Sequence, residues 1–264
     1  MSVTAAKGFT AAGVQAGIKA SGRRDLALVV NTGPDRVCAG VYTSNRFQAA
    51  PVQWSRGVTA GGVLDAVVLN SGGANACTGP DGLADTRATA ALVADAIGST
   101  AGRVAVCSTG LIGVRLPMDA VGHGVALASA ALSSDGGADA ALAIMTTDTV
   151  PKTATASGPG WTVGGMAKGA GMLAPALATM LVVITTDAVL TAAEADAALR
   201  TATALTFDRI DSDGCMSTND TVILMASGAS GAHPDASEFT AALTGVCGDL
   251  AHQLLADAEG SSHD

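Results

Sequence analysis

Short aliphatic runs, each stopped by Gly, Pro or Asn, constrain this chain more than any other feature. Residues 26–31 run into Thr32-Gly33-Pro34, residues 37–43 follow, and residues 64–70 run into Ser71-Gly72-Gly73-Ala74-Asn75. Branched and aliphatic side chains suit a pleated, half-buried surface, and the punctuating residues permit the turns between. Residues 103–108 form another run, ending at Thr109-Gly110, and residues 161–166 and 180–186 read as strands on either side of a Gly-rich turn. Helical spacing covers residues 83–97, 138–145, 192–205 and 236–258, and Pro117 with Asp119 marks the first turn of a further helix. In the last helix Phe239, Leu243, Val246, Leu250 and Leu254 recur every three or four residues, which gathers them on one face. Strands and helices mingle without strict alternation, so the expected class is α+β in stacked layers rather than a parallel doubly wound sheet.

Apolar residues make up 48% of the 264 residues and aromatics only 3%, so a large core must be packed from small side chains in tight layers. Lys plus Arg number 14 against 23 Asp plus Glu, and no basic run is present, which excludes a nucleic-acid partner. The longest apolar stretch, residues 177–184, is far short of the roughly 20 residues of a membrane span. Residues 1–10 lack the charged-then-apolar pattern of a secretory signal, so the expected location is the cytoplasm. Cys38, Cys77, Cys107, Cys215 and Cys247 form no CxxC pair and read as small buried hydrophobes in a reducing compartment; their spacing does not fit zinc. His123, His233, His252 and His263 have no metal spacing and read as surface residues.

The densest chemical signal is residues 168–181, KGAGMLAPALATML. Glycines here permit backbone shapes that a Cβ forbids, and Pro175 fixes its own φ, so one peptide bond beside a β-hydroxyl can be strained. If the Thr179 hydroxyl attacks the Ala178 carbonyl, an N-to-O acyl shift gives an ester, and water then frees Thr179 as a new amino terminus. Its α-amine, unperturbed near 7.7–8.0, would lie beside its own hydroxyl, a recognised base–nucleophile pairing. From chemistry alone, a glycine turn entering a buried strand accounts for the same residues. The run 169–174 also fits a loose G-x-G-x-x-A, but Pro175 and a β-branched run follow instead of a phosphate-binding helix. Residues 209–220 place Asp211, Asp213 and Gly214 as a calcium loop would, yet begin with Arg209 and end with Asp220.

The segment 168–181 resembles the self-processing signature of the ornithine acetyltransferases, the glutamate N-acetyltransferases of the acetyl-cycle arginine pathway. NSGGANACTG (70–79), AVCSTGLIG (105–113), IMTTD (144–148), WTVGGMAKGAGM (161–172), DSDGCMSTNDT (211–221) and DAEG (257–260) resemble the same family in the expected order. The resemblance implies a layered α/β/β/α sandwich, cleavage between Ala178 and Thr179, and Thr179 as nucleophile. It implies an oxyanion hole at Thr109 and Gly110 and substrate contacts at Thr146, Lys168, Thr179 and Glu259. By charge type, Lys168 suits an α-carboxylate and Glu259 a substrate ammonium; a surface cation and a helix-face charge are the plainer alternatives. The implied reaction moves the acetyl group of N-acetylornithine to glutamate, with acetyl-CoA open as a second donor and no metal or organic cofactor. Residues 1–178 and the chain beginning at 179 would assemble as a heterotetramer of two copies of each. Family members continue beyond the DAEG-like segment into a C-terminal domain with a DPNWGR-like segment, and no counterpart of it follows residue 260 here. An amidohydrolase or aminopeptidase of the N-terminal-nucleophile kind, and an inactive chain kept as an assembly partner, are the alternatives.

Overall fold

The computed structural model describes residues 2–172, 180–211 and 213–260. The expected cleavage point, Ala178 and Thr179, and the residues 173–177 before it lie outside the described residues.

Among the described residues nine strands form two sheets. The first contains β1 (Phe9–Val14), β2 (Leu26–Asn31), β4 (Ala66–Gly73) and β5 (Val104–Leu111), in that spatial order. The second runs β3 (Val37–Tyr42), β9 (Thr221–Ala226), β8 (Leu181–Thr186), β7 (Trp161–Lys168) and β6 (Lys152–Gly158). All neighbours are antiparallel except β4 with β5 and β8 with β9. The helices are α1 (Ala50–Thr59), α2 (Gly79–Ile97), α3 (Met118–Ala130), α4 (Gly137–Ala143), α5 (Ala192–Leu205) and α6 (Ala236–Ala256).

Strand side chains alternate between two faces, and here both faces are covered. In β2, Leu26, Leu28 and Val30 pack toward α2 and α3, while Ala27 and Val29 face the second sheet. The same alternation sends Ala66 and Val68 of β4 and Val104 and Val106 of β5 to the helical side, and Val67, Leu69, Ala105 and Cys107 to the inter-sheet side. In the second sheet Val182, Ile184, Val222 and Leu224 meet α5 and α6, whereas Leu181, Val183, Ile223 and Met225 fill the gap between sheets. The result is four layers, helix–sheet–sheet–helix, as expected. Burial on both faces explains why the aliphatic runs are continuous instead of alternating with polar residues. The predicted stripe Phe239, Leu243, Val246, Leu250 and Leu254 lies wholly in the core of the second sheet, with Trp161 tilted against Phe239 at 5.5 Å.

Four elements escape the sequence reading: β1, α1, β6 and β9. FTAAGV and KTATASG are built largely of Ala, Gly, Thr and Ser, which carry little hydrophobic signal. They become strands by pairing at sheet edges, β1 on β2 and β6 on β7. TVILMA of β9 carries the full strand signature, yet the sequence reading passed over it. Several boundaries move; α2 begins at Gly79 with Pro80 in its first turn, and Pro117 is the residue before α3 rather than inside it. Cys38, Cys107 and Cys247 are buried as expected, but Cys77 and Cys215 are exposed, each in a polar loop. Burial pushes the Cys38 and Cys107 thiols up to about 12, which leaves them unreactive near neutral pH. His123, His233 and His252 are exposed, as read; His263 lies outside the described residues.

Candidate active site

Strand parity places two predicted residues together. Thr109 continues the inter-sheet row of Ala105 and Cys107, and Lys168 continues that of Met166. Both therefore point into the gap between the sheets, at the C-terminal ends of β5 and β7. There the Lys168 ammonium donates to Thr109 Oγ1 at 3.2 Å. Both residues are buried, so the surface-cation alternative for Lys168 does not hold. Among the described residues this is its one hydrogen bond, and no carboxylate lies within 4 Å of it. Burial lowers its pKa, with Asp148 opposing. A buried ammonium without a carboxylate partner is a ready receptor for a carboxylate ligand.

Gly110 follows at φ +128°, in the region that favours glycine, and a Cβ there would sit 2.5 Å from the Gly72 carbonyl carbon. The parallel pairing of β4 with β5 is irregular at this point, with Gly73 opposite both Thr109 and Leu111. Ser108 Oγ donates to Asn70 Oδ1 at 2.6 Å, and Asn70 Nδ2 donates to the Gly73 carbonyl at 2.9 Å, so the two strand ends are locked. With its amide nitrogen turned toward the acceptors, Asn219 donates to the carbonyls of Ala74 and Ser108, 3.0 Å each. It thereby ties the loop before β9 to the first sheet.

Asp148 organises the other wall. Its Oδ2 accepts from the Thr146 backbone N–H at 2.9 Å; its Oδ1 accepts from the Gly169 N–H at 2.6 Å and from Lys152 at 2.8 Å. Burial disfavours its charge, but the Lys168 and Lys152 ammonium groups and these donors hold its carboxyl below the usual range. Lys19 donates to the Met145 carbonyl at 2.6 Å, next to Thr146; burial lowers its pKa, against the pull of Asp25. The Lys19 loop is itself shaped by Asp25, whose carboxylate accepts from the backbone N–H groups of Ala16, Gly17, Ile18 and Lys19. Glu259 is exposed beside the β7–β8 loop: its N–H donates to the Ala170 carbonyl at 2.6 Å, and a Cβ on Gly171 would lie 3.1 Å from its carboxyl carbon. Thr109, Gly110, Thr146, Lys168 and Glu259 thus belong to one linked region. Asp211 and Asp213 bond to the backbone of Gly214, Cys215 and Met172, which accounts for them without calcium.

Sequence reasoning missed Lys19, Asp148, Lys152, Asn219 and Asp220. All but Lys19 and Lys152 lie inside segments that carry the family resemblance, but nothing in one dimension separates them from their neighbours. Asp220 is fully buried, and its Oδ1 accepts from the Met180 N–H at 3.1 Å, the amide that follows Thr179 in the chain. Its Oδ2 makes no hydrogen bond among the described residues, although the Ser217 and Thr43 hydroxyls are near. Burial raises its pKa well above the ordinary 3.8, with the Met180 N–H, the hydroxyls and Lys168 opposing. Between 3.8 and the raised value the folded state holds a proton that the unfolded chain has lost, so stability falls as pH rises through that window. Asp220→Asn keeps the shape and the acceptor but cannot ionise. Its Tm should therefore gain on that of the parent as pH rises above about 4 through that window, by up to about 1.4 kcal/mol per unit in stability. A Tm difference that stays constant across that range would mean that Asp220 is not held neutral.

Two facing sheets flanked by helices, with the site where strands β5, β7, β8 and β9 meet, define an N-terminal-nucleophile type of fold. The aminopeptidase, esterase and amidase of Ochrobactrum anthropi, described as a variant of that hydrolase fold, shares the architecture with a TM-score of 0.54 over 99% of this chain and 88% of its own, at 14% identity. The chain belongs to the ArgJ family, which it matches over residues 10–264. It is 66% identical over all 264 residues to the arginine biosynthesis bifunctional protein ArgJ of Streptomyces coelicolor, covering 69% of that protein. The crystal structure of an ornithine acetyltransferase from Mycobacterium tuberculosis, complexed with ornithine, is 57% identical with a TM-score of 0.66, covering 68% of this chain and 96% of the matched one.

Proposed function

We propose that the protein moves the acetyl group of N-acetylornithine to glutamate through an ester on Thr179, in the cyclic route of arginine biosynthesis. Membership of the ArgJ family and the likeness to an acetyltransferase crystallised with ornithine support the reading. The observation that carries it is the buried Lys168 ammonium, bonded to Thr109 and to no carboxylate among the described residues. An enzyme whose donor and acceptor are both α-amino acids needs one fixed cation for their α-carboxylates.

The chain first cleaves between Ala178 and Thr179, leaving residues 1–178 and a second chain that opens with the nucleophile. The Thr179 hydroxyl then attacks the acetyl carbonyl and gives its proton to the Thr179 α-amine. The Thr109 hydroxyl and Gly110 N–H stabilise the oxyanion, where one donor is worth about 2.7–4 kcal/mol. The carbon–nitrogen bond breaks, the amine returns its proton to the leaving nitrogen, and ornithine departs. The α-amine of glutamate attacks the threonine ester by the same path in reverse and leaves as N-acetylglutamate. Lys168 holds the α-carboxylate in both halves, and Glu259 meets the side-chain ammonium of ornithine. Acyl transfer through an ester needs no metal or organic cofactor. Acetyl-CoA, as a second donor, would load the same ester. The two chains form a heterotetramer in the cytoplasm, on the strength of the family resemblance.

The test is incubation of the purified protein with N-acetylornithine, with and without glutamate. Ornithine should be released continuously only when glutamate is present, with an equal amount of N-acetylglutamate. Release at the same rate without glutamate would make the protein an amidohydrolase of the same fold, and no release in either case would overturn the assignment.

A further inference from the structure

Lys152 is among the largest fully buried side chains of the described residues, and the reaction above gives it no part. It opens β6, the edge strand beside β7, opposite Ala167 and so next in register to Lys168. Its ammonium bonds to Asp148 Oδ1 at 2.8 Å and to Asp257 Oδ2 at 2.5 Å. Each acid then leads to one end of the candidate substrate site. Asp148 holds the Thr146 and Gly169 amides, on either side of which stand Thr146 itself and Lys168. Asp257 ends α6, holds the Thr149 N–H and hydroxyl, and precedes Glu259 by two residues. Glu259 is fastened in turn to Ala170, so the path closes on the β7–β8 loop. Just inside this ring the Gln253 amide bonds to both the N–H and the carbonyl of Thr153, which clips α6 to β6 and makes it one body with the strand.

A fully buried cation between two carboxylates is a poor source of stability, because desolvation offsets much of the attraction. Its geometric effect is stronger: two charge-assisted bonds at short range fix the distance between the segments that they join. We propose that Lys152 is a positioning residue that sets the span between Lys168 and Glu259, and with it the length of the amino-acid side chain that the site accepts. The inference rests on the assignment of Lys168 and Glu259 to the two charged ends of the substrate. A rigid span discriminates against one added or missing methylene by about 10–200-fold in other enzymes; a span freed from its clamp should discriminate less.

The experiment compares kcat/KM for N2-acetylornithine and for N2-acetyl-lysine, one methylene longer, with glutamate as acceptor. The parent protein, Asp257→Asn, Lys152→Met and Lys152→Arg are all measured. Asp257→Asn breaks the less buried half of the clamp and keeps its shape, so it reports even if Lys152→Met does not fold. Asp257→Asn should lower kcat/KM for acetylornithine about tenfold, mainly through KM, and reduce the preference over acetyl-lysine at least about fivefold. Lys152→Met should do the same or more, and Lys152→Arg should recover most of the preference. A residue that only supports folding would lower activity on both substrates alike and leave their ratio unchanged. An unchanged ratio in Asp257→Asn with an active parent would overturn this inference alone. A parent inert toward acetylornithine would overturn the proposed function, and this inference with it.

Discussion

Thr179→Ala should remain a single chain and transfer no acetyl group. Cleavage and catalysis both need an oxygen at this one Cβ: first to take the acyl group of Ala178 from the backbone nitrogen, then to take acetyl from the substrate. Alanine has no atom that can do either. The parent protein should resolve on a denaturing gel or by intact mass into residues 1–178 and a chain beginning at Thr179. Thr179→Ser keeps the hydroxyl and should cleave in part. Transfer by Thr179→Ala should fall by at least about 10⁴-fold, since loss of an activated nucleophile removes the covalent path altogether. The described residues beside this point suit the reaction. Met180, directly after Thr179, is anchored by its N–H to the buried Asp220 and enters β8 at once. Gly169 on the other side is anchored to Asp148. The described chain is thus anchored on both sides of residues 173–179. Fragment masses placing the cut at another bond, or a Thr179→Ala protein that still splits, would remove the basis for the nucleophile.

Thr109→Ala should lower kcat by about 10²-fold or more while changing KM much less. Thr109 Oγ1 accepts the Lys168 ammonium at 3.2 Å, which occupies one lone pair and polarises the O–H bond. The hydroxyl proton is thereby left to donate elsewhere, and the neighbouring Gly110 marks where an oxyanion would meet it. Such a donor acts on charge that exists only during reaction, so it belongs to kcat rather than to binding. Alanine also deprives Lys168 of its acceptor, which Thr109→Ser does not; the serine variant should therefore recover most of the rate. A loss confined to KM, or a serine variant as slow as alanine, would show that Thr109 merely seats Lys168.

The aliphatic runs, their Gly and Pro stops and the apolar stripe of α6 were legible because burial on two faces writes a local signature: nearly every residue of β2 and β8 must be apolar. The expectation of a self-cleaving segment at residues 168–181 came from the family resemblance, since the residues by themselves suit a glycine turn entering a buried strand equally well. The edge strands β1 and β6 carry no such signature, because pairing with β2 and β7 supplies what their small side chains do not. What the one-dimensional chain determined is therefore the layered α+β class and, through its motifs, the family. The tertiary structure alone decided how the candidate site residues meet. Thr109 and Lys168 stand 59 positions apart and touch only because two strands, each with period two, present them to the same gap. The clamp of Lys152 joins Asp148 and Asp257 across 105 positions on one side and four on the other, and no local pattern records it. Contacts of that kind follow from sheet order and register, which depend on every strand at once.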